Sequence, residues 1–416
     1  MIRVAGSTSG LHYSGLGAGR TQRERHHMAG KPTIVFVNNS RETFTPVVSG
    51  AIATCVLNVG RVALAQGYDC PVITRKAIGV DEYEWPGLRF VRAIKWPSPL
   101  PAKLLRIRRR LTGWRAPDQW VYAHDVLAEL KRLRPQVAIV NNDPEVAVFL
   151  SRRLPSVQVV HWFHNLEMSS DRFRRQYARD RRLRSVAVSA YVARAIEQIY
   201  KLRPFTVSTV LNGVDTEQFG TERTSPIPTV GFVGRLSVEK APDILADACV
   251  RVAERGTRFR LQIVGDTNFG FSAGNPFYDR LNARIADLEQ QGIEVVRTGH
   301  LDRTRIAGAL AASDIHVTPS RWDEPCALTI LEGLASGQAV VGSATGGTPE
   351  LISDAGLLFP RDDAGALADV LDGLIRDPEA RAAWGARARR RAESLTWART
   401  WDGLASAAGV RETEAG

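Results

Sequence analysis

Two glutamates, Glu324 and Glu332, stand eight positions apart in "SRWDEPCALTILEGLASGQAVVGSATGGTPELI", residues 320–352, around an apolar run. The segment reads as strand, loop and then a helix that opens near Pro325 and closes before Gly337, because proline suits a first helical turn and glycine a far end. On such a helix the second carboxylate lies about 12 Å along the axis from the first. That is too far to share a proton or a metal ion. The pair can instead grip two ends of one elongated, hydroxyl-bearing ligand, with the free N–H groups around Ala327 and Leu328 facing any anion between them. From spacing alone, a helix-dipole charge at Glu324 and a surface role for Glu332 stay open.

"GFVGRLSVEKAPDILADA", residues 231–248, ends a strand at Gly234-Arg235 and starts a helix near Pro242. Arg235 and Lys240 then stand at the C-terminal edge of a parallel sheet, where open α/β domains bind ligands. A guanidinium that forks two oxygens beside an ammonium point charge suits a diphosphate. In "VVHWFHN" the histidines His161 and His164 sit three apart on a strand, so they point to opposite faces and a shared metal is not expected. His164, at the strand's end, is the one placed to face a cleft. "NNSRETFTPVVSGAIATCVL" puts a loop ending at Gly50 between the first strand and first helix, and a glycine there permits close backbone approach.

The elements that must hold these groups repeat along the chain. From Lys31, short apolar runs ("TIVFVNN", "CPVIT", "VAIVNN", "VQVVHWFHN", "SVAVS") alternate with amphipathic helical stretches. Continuous apolar strands separated by helices are what a parallel sheet covered on both faces requires. After the Pro-containing connector "TERTSPIPT" the alternation resumes through "VGFVGRL", "RLQIVGD", "IEVVRTG", "DIHVTPS" and "QAVVGS". The length of 416 residues exceeds the ~250–300 at which single cores stop growing, so two domains are expected. The expected division is a flexible Gly/Ser/Arg-rich leader at 1–30, a first domain at 31–208, a second at 209–395, and at 396–416 a last helix that returns to the first domain, then a tail.

Six pieces in order resemble the signature of a family-four glycosyltransferase with the glycosyltransferase-B fold: "LNGVDTEQF", "GRLSVEKAPDIL", "LQIVGD", "GHL" after a strand, "EPCALTILE" and "GGTPELI". The resemblance runs from about residue 32 to 405 and is dense beyond 205. It implies an α/β protein of two doubly wound Rossmann-like domains facing across a cleft. It implies that Arg235 and Lys240 hold a nucleoside diphosphate, Glu332 the ribose hydroxyls and Glu324 the donor sugar. Backbone at Ala327 and Leu328 supplements the phosphate site, and Gly50, Gly234, His300 and Leu301 join the nucleotide-binding set. His164 aligns with the family's active-site histidine. Where the family pattern has Phe-Gly and Gly, this chain has Cys326, Ala327 and Ala241, so a methyl stands where backbone approaches ligand.

The implied reaction is transfer of a hexosyl group to an acceptor hydroxyl with retention of configuration. Fixed cations and helix N–H groups would stabilise the leaving diphosphate. No D-x-D triplet is present, so no metal and no cofactor are expected; the co-substrate is a nucleotide-diphosphate sugar, a UDP-sugar ahead of a GDP-sugar. Nucleotide-sugar epimerases and sugar phosphorylases use the same two domains and are the near alternatives.

Charge adds a second expectation. Residues 1–212 hold 33 Lys+Arg against 15 Asp+Glu, whereas the remainder holds 22 against 29. The first half should therefore meet something anionic: a lipid-linked or acidic acceptor, or an anionic membrane surface touched by "PAKLLRIRRRLTGWRAP" (101–117) or "DRFRRQYARDRRLR" (171–184). A basic nucleic-acid or membrane-surface binding protein is the rival class, but no nucleic-acid reading module is recognisable, so nucleic acid is not an expected partner. Four widely spaced cysteines fit a reducing compartment, and no run of ~18 apolar residues exists to span a bilayer. A cytoplasmic protein, peripheral on the inner membrane face, is expected.

Overall fold

The computed structural model describes residues 32–42, 50–75, 90–94, 114, 117–220, 227–267 and 275–410; the leader and most of 101–117 lie outside the described residues. The first sheet has seven parallel strands: β1 (Ile34–Val37), β2 (Val72–Arg75), β3 (Phe90–Ile94), β4 (Val137–Asn141), β5 (Gln158–Phe163), β6 (Arg184–Ala187) and β7 (Val207–Thr209). Their order is β3-β2-β1-β4-β5-β6-β7. Helices α1 (Ala51–Ala65), α2 (Pro117–Leu133), α3 (Pro144–Arg153), α4 (Asp171–Arg179) and α5 (Ala190–Tyr200) join them. All four residues of β1 and all five of β4 are buried, as a central strand flanked by helices on both faces demands.

The second sheet comprises β8 (Thr229–Val233), β9 (Arg260–Val264), β10 (Glu294–Gly299), β11 (Ile315–Thr318), β12 (Ala339–Ser343) and β13 (Leu357–Phe359), ordered β10-β9-β8-β11-β12-β13 and again parallel. Its helices are α6 (Pro242–Glu254), α7 (Pro276–Gln290), α8 (Arg303–Ala311), α9 (Leu328–Ala335), α10 (Thr348–Ile352), α11 (Ala364–Arg376) and α12 (Pro378–Glu393). In each sheet the strand order reverses beside the first strand, at β1/β4 and at β8/β11. A crevice opens at such a switch point because successive crossovers leave in opposite directions.

A final helix, α13 (Trp397–Ala408), returns to the first domain and packs on α1, β5 and β6. Trp401, 1% exposed, lies edge-on to Tyr68 at 5.2 Å, and its indole N–H donates to Gln66 Oε1 at 2.7 Å. Losing that ring would cost about 3–5 kcal/mol. The crossing between domains is tight: the Val214 N–H donates to Leu395 O at 2.8 Å, and a Cβ on Gly213 would stand 2.3 Å from Trp397 N.

Candidate active site

A cavity of about 510 Å³ lies between the two domains at the C-terminal ends of their strands. The second domain lines it with Arg235, Glu239, Lys240, Arg303, Trp322, Glu324, Pro325, Cys326, Ala327, Leu328, Thr329 and Glu332. The first lines it with Gly50, Ala51, Ile52, Cys55, His164 and Asn165, and Asn212 of the connector completes it.

Arg235 leaves β8 and stands exposed at the cavity wall. Lys240 follows a turn in which its N–H donates to Ser237 O at 3.1 Å, and its ammonium meets Glu324 Oε1 at 2.6 Å. Ser320 Oγ donates to the same oxygen at 2.5 Å. Glu324 is thus a 3%-exposed carboxylate whose Oε1 is fixed by two donors. Its backbone is pinned as well: the Gly347 N–H donates to Glu324 O at 2.6 Å, and a Cβ on Gly346 (φ +54) would lie 2.6 Å from Glu324 N.

That pinning corrects the expected helix. Residues 324–327 stay non-helical, bending at Pro325-Cys326 beside the Gly346-Gly347 turn, with Ala327 extended at φ −69 and ψ 116, so α9 begins only at Leu328. Glu332 therefore sits little more than one turn into the helix. It is 5% exposed, which removes the surface role, and Arg303 donates to its Oε1 at 2.8 Å. Burial pushes the Glu332 carboxyl up, and the Arg303 guanidinium pulls it back down. The negative φ of Ala327 also shows that its methyl imposes no backbone strain. Ala241 is different: it occupies the left-handed region (φ 52, ψ 46) at the start of α6, where a Cβ costs about 1–2 kcal/mol.

Across the cleft, His164 directly follows β5, with its Nε2 3.0 Å from Asn141 Oδ1. Asn141 Nδ2 donates to Val37 O at 3.0 Å, which orients the amide so that its oxygen faces the imidazole and Nε2 carries the proton. The His164 and Asn165 N–H groups both donate to Asn142 Oδ1 at 3.0 Å. Burial lowers the His164 pKa to about 3, so the ring is a neutral hydrogen-bonding group at pH 7 with Nδ1 as acceptor. His161 faces elsewhere, with Nδ1 3.0 Å from Tyr177 Oη.

Of the residues singled out from sequence, Gly50, His164, Arg235, Lys240, Glu324, Ala327, Leu328 and Glu332 line the one cavity. Gly234, His300 and Leu301 do not. Gly234 is packed beneath Gly265, whose Cβ would come within 1.8 Å of Gly234 O. His300 is exposed just after edge strand β10, and the same segment reaches the cavity three residues later through Arg303. Sequence reading missed Arg303, Trp322 and Asn212. Trp322, 45% exposed at the cavity, is held by its N–H to Glu239 O (3.2 Å) and by the neighbouring Arg321, which forks Asp243 at 2.9 and 2.8 Å. An exposed tryptophan beside a positive pocket was a signal available in "SRWDEP".

Residues 52–218 match the family model described as Glycosyltransferase Family 4, and residues 215–391 match that of Glycosyl transferases group 1. The chain belongs to the family-four glycosyltransferases. A D-inositol 3-phosphate glycosyltransferase of Stackebrandtia nassauensis is 32% identical over 234 residues, 52% of this chain and 52% of the relative. Spore coat protein SA of Bacillus subtilis is 25% identical over 312 residues, 70% of this chain and 82% of the relative. The chain thus spans about half the length of the Stackebrandtia relative. Among solved structures, a glycosyltransferase from Rickettsia africae has a TM-score of 0.71 at 18% identity, covering 92% of this chain and 100% of that one. Anabaena Alr3699/HepE in complex with UDP-glucose has a TM-score of 0.63 at 18% identity, covering 91% and 100%. These likenesses show the two-domain glycosyltransferase-B fold in this family-four member.

Proposed function

We propose that the chain moves a hexosyl group from a nucleoside-diphosphate sugar to an acceptor hydroxyl with retention of anomeric configuration. The observation that carries this is the cavity's charged wall, where Arg235 and Lys240 stand beside two buried carboxylates each held by a cation, Glu324 by Lys240 and Glu332 by Arg303. In this reading Arg235 and Lys240 meet the diphosphate, and the open N–H groups at the start of α9 add to that field. Glu332 accepts the ribose hydroxyls and Glu324 the hydroxyls of the transferred sugar. As the glycosidic bond to the leaving group lengthens, negative charge grows on the diphosphate, where these groups are fixed. Preorganised donors of this kind act without reorganising at the moment of reaction.

Retention is what membership of family four supports. The acceptor proton then goes to a leaving phosphate oxygen as the acceptor oxygen attacks from the same face. Neutral His164 contributes a hydrogen bond to the sugar. UDP-sugars are the first donors to test, because Alr3699/HepE is described with UDP-glucose, and GDP-sugars the second. The relatives' names favour an anionic polyol acceptor such as an inositol phosphate. Four buried, unpaired cysteines suit a reducing, cytoplasmic compartment. Among the described residues no helix is long and apolar enough to cross a membrane.

The test is saturation-transfer NMR against a panel of nucleotide sugars, followed by proton NMR of the product formed with an α-linked donor. An α-linked product is expected. A β-linked product sinks retention, and a changed sugar still attached to nucleotide would favour an epimerase. Turnover is expected to survive EDTA, since side-chain cations carry the charge; loss restored by Mn²⁺ would count against this.

A further inference from the structure

The edge of the first sheet opposite the cleft carries charge that sugar transfer does not use. Strands β4, β5, β6 and β7 are adjacent and parallel, with Val137 beside Gln158, Val160 beside Arg184 and Ser185 beside Val207. The segments feeding them, 131–134, 152–153, 179–184 and 201–203, therefore emerge together at the N-terminal edge, whereas His164 and the cavity lie at the C-terminal one. Hydrogen bonds tie these segments side by side: Gln158 Nε2 donates to Arg182 O at 2.8 Å, and the Arg182 guanidinium donates to Ser151 O.

The four segments hold eleven Lys or Arg, every one exposed, and a single acid, Asp180. Asp180 Oδ1 is occupied by the N–H groups of Arg182 and Leu183. Helix dipoles explain a cation in the last turns of α2, α3 and α4. They do not explain Arg181, Arg184 and Arg203, which lie outside helices. Two residues beyond Arg203, Phe205 is 98% exposed with φ 61, a left-handed backbone that costs a non-glycine residue about 1–2 kcal/mol. A strained turn thus holds this ring fully in water beside a field of cations.

We propose that this edge docks the protein on an anionic lipid bilayer, with the cations against headgroup phosphates and Phe205 entering the acyl boundary. Juxtaposed cations and a single apolar anchor are the two contributions such docking combines. A nucleic-acid duplex would satisfy the charge but offers its backbone nothing apolar for Phe205. Because the cavity faces the other way, docking leaves donor turnover free.

The test is flotation of the full chain with neutral phosphatidylcholine vesicles, with vesicles containing phosphatidylglycerol, and with a DNA duplex as soluble polyanion. Flotation with the anionic vesicles and not with the neutral ones is expected. Arg181→Glu/Arg184→Glu/Arg203→Glu should weaken it at least tenfold, given about 1 kcal/mol for each cation near the surface. Phe205→Ser should weaken vesicle binding roughly tenfold without changing retention of the duplex. All four positions are exposed, so melting temperature and donor turnover should match the parent chain. Equal binding to neutral vesicles, unchanged binding by the triple variant, or vesicle binding indifferent to Phe205→Ser while the duplex competes for it would each overturn the proposal, the last in favour of nucleic acid.

Discussion

On the second domain's side of the cleft, Arg235, Glu239, Lys240, Arg303, Glu324 and Glu332 bring six ionisable side chains to the cavity, whereas the first domain's side presents Gly50, Ala51, Ile52, Cys55, His164 and Asn165. The contrast extends behind the surface. Glu324 and Glu332 are buried with a cation each. Beneath the first domain's wall, Asp143 is buried among neutral donors, taking the Ser40 N–H at 2.6 Å and Gln119 Nε2 at 2.7 Å. Burial pushes Asp143 up to about 7 despite those bonds, and the nearby Glu145 adds to the rise. One wall therefore holds fixed charge for a charged ligand. The other keeps Asp143 buried beneath it with a raised pKa, and shows the ligand backbone and a neutral ring.

The largest effect that would break this contrast is a pH profile. The unfolded Asp143 carboxyl ionises near 4 and the folded one near 7, so the fold holds the proton more tightly. The resulting stability is complete below about pH 4 and is lost as pH rises through about 7, amounting to at most roughly 4 kcal/mol. Glu42, also pushed up to about 7 by burial, acts in the same direction. Urea unfolding of the parent chain and of Asp143→Asn at pH 4.5, 6 and 8 should show a shallower decline in the variant. Identical slopes would mean that Asp143 is already ionised and that the two walls do not differ as described.

Next come the cations. Lys240→Ala leaves Glu324 buried and unpaired, so it should lower stability by about 3 kcal/mol as well as turnover by tenfold or more. Arg235 is exposed, and Arg235→Ala should lower turnover at least tenfold with the melting temperature unchanged. Near-normal turnover in both would remove diphosphate binding from this wall. The carboxylates sharpen the picture further. Glu332→Gln should weaken nucleoside-diphosphate binding about tenfold, and Glu324→Gln should leave it nearly unaltered while slowing transfer, since the product keeps the ribose and has lost the sugar. Titration calorimetry reads both; equal weakening would show that the two glutamates do not hold opposite ends of the donor. The smallest effect is Ala241→Gly. Relief of a left-handed alanine, about 1–2 kcal/mol, outweighs the added freedom of glycine in the unfolded chain, about 0.4–1, so the variant should gain about 0.5–1 kcal/mol. A thermal melt lower than the parent's would show that the backbone is not strained there.

Much of this was legible because it is local. Five-residue apolar runs such as "VAIVN" can be buried on both faces only in a covered parallel sheet, and the doubly wound class follows from their alternation with helices. Gly-Arg at a strand end and Glu-Pro before a helix place side chains at a sheet edge by chain geometry, which with the family resemblance singled out Arg235, Lys240, Glu324 and Glu332. The helix start was not legible, since Pro325 suits a first turn in isolation. What delays it to Leu328 is the hydrogen bond from Gly347, a neighbour more than twenty positions on. Arg303 was missed for the same kind of reason: nothing near it in sequence says that it will reach Glu332.

The amino-acid order by itself determined the period of the strands, the caps and turns, the excess of positive charge in the first half and the set of motif residues, because each depends on neighbours a few positions apart. Which of those residues face one another was decided only in three dimensions. Lys240 and Glu324 are 84 positions apart and meet at 2.6 Å, the first domain's helix α5 begins on a carboxylate of the second, with the Ala190 N–H donating to Glu350 Oε2 at 2.7 Å, and exposed arginines from four separate segments share one edge. Such pairings, and the protonation they impose on buried groups, depend on burial and distance between parts of the chain that carry no record of each other in their local sequence.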